Sequence, residues 1–112
     1  LDPVISIGRL TGILDGDWVV FDKHGNPVDL DVPGDVGPAA LLVSDVTEAV
    51  KRVEDGVVVE SVDRRKMWAV EAIVLNRIVL RRLDEEEVSV EGLLDSVRAA
   101  GFAWQIRPIS VP

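Results

Sequence analysis

Residues 67–83 run for seventeen positions without Gly, Pro, Ser or Thr, and whatever they form sets the frame for the rest. The absence of turn and capping residues over that length predicts a helix. Val70, Ile73, Val74, Ile78 and Val79 pull the other way, because β-branched side chains fit strands better than helices. A strand reading needs a turn at Asn76-Arg77, which is poor turn chemistry. The helix is therefore the expectation.

On a helical wheel this segment has two apolar groups. Trp68, Ala69, Ala72, Ile73, Leu75, Val79, Leu80 and Leu83 share one broad arc, enough to seat a helix on a sheet. Met67, Val70, Val74 and Ile78 form a second line, flanked by Glu71, Arg77 and Arg81. A helix apolar nearly all round is normally covered on both sides. The second cover is either the chain's own N-terminal or C-terminal elements or another chain. A homodimer with the helix crossing its copy is the simplest assembly. Glu71 then faces Arg77 or Arg81 across the axis, a rim pairing that sets register more than affinity.

The rest of the chain reads as α+β. Val4-Ile5-Ser6-Ile7, Trp18-Val19-Val20-Phe21 and Pro27-Val28-Asp29-Leu30-Asp31-Val32 predict an antiparallel β-meander over 1–32 with one acidic face. Asp15-Gly16 is a hairpin signal of the type I′ kind. Residues 33–38, Pro33-Gly34-Asp35-Val36-Gly37-Pro38, form a loop by composition. The portion 39–112 then supplies a mixed sheet with about three helices packed on it. Residues 39–43 predict a buried strand. A helix follows from Ser44 or Asp45, where Asp45 and Glu48 resemble a capping box, with Val46, Ala49, Val50 and Val53 at helical spacing until Asp55-Gly56 ends it. Val57 to Val62 returns as strand. A last helix covers about 90–100, with Ser89 as N-cap and Gly101 at the C′ position, and a final strand covers 102–109. If 67–83 is strand instead, residues 39–108 approach a βαββαβ, ferredoxin-like core.

Composition narrows the function classes. At 112 residues and 47% hydrophobic content, the chain has the size and apolar supply of one domain. It has no cysteine, which excludes disulfides, thiolate metal sites and thiol nucleophiles and fits a reducing, cytoplasmic setting. No basic and apolar leader opens it, and the longest apolar run is too short for a membrane helix. The net charge of −8 argues against nucleic acid and anionic membranes as partners. Nine Arg against three Lys, with two Asn and one Gln, lean toward a heat-adapted source, although a GC-rich genome produces part of the same bias.

Motifs that would name a reaction are missing. Gly8-Arg9-Leu10-Thr11-Gly12 lacks the Lys-Ser/Thr of a phosphate loop. Asp29, Asp31 and Asp35 are the one local set of oxygen donors for a divalent ion, without an EF-hand pattern; a solvated strand face looks the same. His24 is the sole imidazole and sits in a turn. No Gly-x-Ser-x-Gly elbow is present. Arg64-Arg65-Lys66 beside Trp68, and Arg81-Arg82 beside Asp84-Glu85-Glu86-Glu87, read as helix ends and surface ion pairs. The inventory favours a non-catalytic domain without cofactor that acts through protein–protein contact, most simply homodimerisation. The alternative is a small-molecule or divalent-ion site in the acidic N-terminal third, using Asp29, Asp31, Asp35 and His24.

Overall fold

The computed structural model describes residues 3–46, 50–62 and 67–109. Among them the content is α+β, with strands predominating. In chain order the elements are β1 (Val4–Ser6), α1 (Ile7–Gly12), β2 (Trp18–Phe21), β3 (Ala39–Asp45), β4 (Val50–Glu54), β5 (Val57–Val62), β6 (Trp68–Asn76), α2 (Arg77–Leu80), β7 (Glu87–Ser89), α3 (Val90–Ala99) and β8 (Gln105–Pro108).

The expected helix over 67–83 is instead the strand β6 followed by the single turn α2. β6 is an inner strand of a four-stranded sheet ordered β2-β6-β3-β8. It pairs antiparallel with β2 (Val20 opposite Val74) and with β3 (Leu41 opposite Ile73). The physical reason is burial on both faces. Ala72, Ile73, Val74 and Leu75 are all fully buried, and a strand covered on both sides shows a continuous apolar run rather than alternation. Inner strands also lack Gly and Pro, so the missing breakers fit either state. Asn76-Arg77 is a strand-to-helix junction, not a hairpin turn. Asn76 is extended (φ −80°, ψ 152°), and its side chain caps α2 by accepting from the Ile78 N–H at 3.0 Å.

Alternate residues of the sheet feed two cores. On one face Val19, Phe21, Leu41, Val43, Ile73 and Leu75 pack with Ile7 and Leu10 of α1, Val79 and Leu80 of α2, and Leu93 and Val97 of α3. On the other, Ala40, Leu42, Ala72 and Val74 pack with Val36 and the half-buried Trp18, Val20, Val28, Val32 and Ile109. β8 adds to β3 in parallel. The small β1–β7 ladder, with Ile5 opposite Val88, closes the helical side.

Other expectations meet mixed outcomes. The meander over 1–32 is absent, because Ser6 caps α1 by accepting from the Arg9 N–H at 3.3 Å. Residues 27–32 touch β2 through a Phe21–Pro27 bridge and one Val28 N–H to Val20 carbonyl bond of 3.0 Å. The Asp15-Gly16 turn is present, but its central pair is Gly16-Asp17. Only Gly16 has positive φ there (65°), while Asp15 and Trp18 exchange backbone bonds of 2.8 and 3.2 Å, the II′ rather than the I′ pattern. The strands at 39–45, 57–62 and 105–108 agree with expectation. So does α3, where Ser89 accepts from the Gly92 N–H at 3.1 Å and Gly101 has φ 96°.

The expected helix after Ser44 also fails: β3 runs to Asp45, and Val50–Glu54 is strand β4. The Asp45–Glu48 capping box lies partly outside the described residues. Without a helix between β3 and β4, the βαββαβ alternative fails as well.

Candidate functional site

β4 and β5 form a hairpin that pairs with nothing else among the described residues. Its turn is Asp55-Gly56, both residues having positive φ (51° and 77°), which is the type I′ geometry that right-handed strand twist selects. The ladder pairs Lys51 with Ser61, Arg52 with Glu60, Val53 with Val58 and Glu54 with Val57, and its register shifts between Arg52 and Val53. Val59 is thus the extra residue on β5, a bulge that bends the strand carrying it.

Side chains divide by face because cross-strand partners share one and successive pairs alternate. The charged face holds Arg52, which reaches Glu54 at 2.5 Å and Glu60 at 3.2 Å. The opposite face holds the Val53–Val58 pair, next to Lys51, which donates to the Ser61 hydroxyl at 2.6 Å. Every described residue from Lys51 to Ser61 is exposed, and Val53, Val57, Val58 and Val59 are 43–62% accessible. An isolated two-stranded hairpin is marginal in water. The Val53–Val58 pair left open on one face is therefore a surface in need of a cover, with Val57 beside Glu54 on the charged face and Val59 at the bulge. The Cα radius of gyration of 15.4 Å, against about 13 Å expected for a compact chain of this length, agrees with a projecting arm.

The residues expected to form one partner-binding line are dispersed. Val74 is fully buried in the second core. Met67 is half-buried, and Val70 is exposed near the start of β6. Ile78 is exposed on α2, with Arg77 half-buried and Arg81 exposed beside it. The six residues of β6 beyond Val70 separate those two groups by roughly 20 Å. Within the chain Glu71 accepts from the Ser44 hydroxyl at 2.6 Å. Arg77 staples the turn before β2, donating to the Gly16 carbonyl at 2.6 Å, with its Nε 3.9 Å from Asp17, too long for a hydrogen bond.

The acidic third is similarly spread out. Asp29 and Asp31 line an open cleft of about 610 Å³ along Trp18, Val20 and Val28. Asp35 lies apart, paired with Arg107 at 3.0 Å, and the Arg107 hydrogen bond holds its carboxyl below the usual range. His24 is exposed, and its N–H and that of Asn26 donate to Asp22 at 2.9 and 3.0 Å. Burial acts to raise the Asp22 carboxyl, but those two bonds together with the charge interactions of His24 and Arg9 outweigh it, and the net shift is downward. Among the described residues no three His, Asp or Glu side chains gather as a metal site. No described helix is long and apolar enough to cross a membrane. Arg64, Arg65 and Lys66 lie outside the described residues.

The hairpin was the surface that sequence reasoning missed. Its signal was present: Asp55-Gly56 between two valine-rich runs is the same dipeptide that marks the turn before Trp18.

No family model and no curated protein matches the sequence. Among solved structures, a crystal structure of 4-diphosphocytidyl-2C-methyl-D-erythritol synthase is similar over 70% of this chain, at 21% identity and a TM-score of 0.49. The chain spans 36% of that protein's length. A likeness of that size carries neither fold nor activity across.

Proposed function

We propose that this chain works through protein–protein contact rather than catalysis, most simply as a homodimer, and that the β4–β5 hairpin is the contact surface. One observation supports the reading above others: Val53, Val57, Val58 and Val59 are all more than two-fifths exposed on a two-stranded ladder that no described element covers. This replaces residues 67–83 as the contact. The chain needs no cofactor in this role, and the absence of cysteine suits a reducing, cytoplasmic setting.

Sedimentation equilibrium of the wild type and of a Val53→Thr/Val58→Thr variant tests it. Threonine keeps the β-branched shape and strand preference while removing apolar surface. The wild type should self-associate and the variant should do so more weakly. A wild type that stays at 12.2 kDa up to high micromolar concentration ends the homodimer reading.

A second reading is a small-molecule site in the cleft lined by Asp29 and Asp31, supported by its volume and by the half-buried Trp18 and Val20 along it. The divalent-ion version has less support, since Asp35 is engaged with Arg107. A ligand bound only by the folded state raises the melting temperature, so thermal shift against small amines and polyols tests the cleft.

A further inference from the structure

We infer that the hairpin's partner is a second copy of this chain, joined along the free edge of β4 about a two-fold axis through Val53. The inference rests on the contact reading above and adds which edge, which register and which residue pairs.

An exposed strand edge is a row of unpaired backbone donors and acceptors that accepts another strand. The hairpin has two such edges, and they are not equivalent. The β5 edge carries the extra residue Val59, and a bulge bends and twists the strand that holds it, which protects an edge from pairing. β4 has no extra residue in the ladder. Its edge is the one suited to continue the sheet.

The order of charges along β4 identifies the occupant. Lys51-Arg52-Val53-Glu54 reads basic, basic, apolar, acidic, and the turn residue Asp55 adds a second acid just beyond the strand. A segment whose charge changes sign about its own centre is complementary to itself reversed. Antiparallel pairing of two β4 strands about Val53 sets Arg52 opposite Glu54 of the second copy, and brings Lys51 toward the second copy's turn, where Asp55 lies just past the end of β4. The two-fold makes the Arg52–Glu54 pair twice. Opposite charges directly across strands stabilise an antiparallel pair, and like charges there oppose it. No shift by one residue keeps the two Arg52–Glu54 matches. The β5 segment Val57-Val58-Val59-Glu60-Ser61-Val62 has one charge and no such order.

The apolar face agrees with the same axis. Val53 already sits beside Val58 within the hairpin. Placing Val53 next to its own copy gives a row Val58–Val53–Val53–Val58 across four strands. The other face then joins the Arg52, Glu54 and Glu60 clusters of the two copies into one network. Two marginal two-stranded hairpins become a four-stranded sheet, which is the size that holds independently.

Charge reversal with complementation tests the register. Arg52→Glu and Glu54→Arg are made separately, and self-association of each and of their equimolar mixture is measured by sedimentation velocity beside the wild type. The register predicts at least about tenfold weaker association for each variant alone. The mixture should recover dimer, because in the mixed pair each position 52 again faces a position 54 of opposite charge, with the signs exchanged at one of the two symmetry-related contacts. Variants that dimerise as well as the wild type overturn the register and leave the contact reading standing. So does a mixture that stays monomeric, since the loss then reflects damage to the hairpin. A monomeric wild type removes both.

Discussion

Val70, Val74 and Ile78 are spaced four residues apart, so a helix would place them on one line, and the fold described above separates their energetic roles. Val74 is fully buried in the second core against Ala40, Leu42 and Ala72, whereas Val70 is 43% and Ile78 49% exposed. Val74→Ala removes two methyl groups, worth about 0.8 kcal/mol each in transfer. Neighbouring strands cannot collapse onto the space, so the cavity adds a contribution of comparable or smaller size, for a total of about 2–3 kcal/mol. With an unfolding entropy scaled to this length, that lowers the melting temperature by roughly 10 °C. Val70→Ala and Ile78→Ala should each cost less than about 1 kcal/mol, a drop of roughly 4 °C or less. Scanning calorimetry of the three variants reads these values directly. Similar losses at all three positions would falsify the two-faced inner strand, because residues on one helical stripe would respond together.

Further consequences concern single groups. Gly25 has φ 80°, and an added Cβ would lie 3.3 Å from Cγ2 of the fully buried Ile5, so Gly25→Ala should destabilise by about 1–2 kcal/mol. Gly16 has φ 65° and open space around it; Gly16→Asn should cost less than about 1 kcal/mol in the same chemical denaturation assay, since Asn tolerates that conformation. Asp35 is held low by its hydrogen bond from Arg107 and Glu85 by one from the Ser96 hydroxyl, so Arg107→Gln and Ser96→Ala should raise the respective carboxyl pKa, read by side-chain NMR titration. Because a depressed carboxyl stabilises the fold above its unfolded value, stability should be flat above about pH 5 and fall as pH drops below about 4 through the depressed folded values. Millimolar Mg²⁺, Mn²⁺ or Ca²⁺ should leave the melting temperature unchanged, since Asp35 pairs with Arg107 away from the cleft that Asp29 and Asp31 line; a clear upward shift would restore the ion reading.

How much of this was legible in the sequence depended on whether a signal was local. Ser89 capping α3, and Gly101 ending it with the Phe102 N–H returning to the Val97 carbonyl at 3.2 Å, are local chemistry and read correctly. The buried strand β3 and the strand β5 were legible from their apolar or β-branched, breaker-free composition. β6 was not, because a strand buried on both faces loses the alternation that identifies strands. Asn76 deepened the error: a residue that suits turns was weighed as a hairpin turn, when its side chain served as a helix cap. At residues 46–53 valines at helical spacing outweighed the Asp55-Gly56 hairpin signal, although valine itself favours strand. The candidate contact followed from those two assignments. Once β6 turned inward, Val74 left the surface, and the uncovered apolar side chains were those of β4 and β5 instead.

Amide hydrogen exchange of the chain at low and high concentration addresses the contact most directly. The β4 amides that point away from β5 are solvated in a lone chain, so they should exchange freely when dilute and become protected as concentration rises, with Val53 at the centre of the effect. Unchanged exchange along Val50–Glu54, or concentration-dependent protection confined to Ile78 and Arg81, would contradict a dimer built on this hairpin.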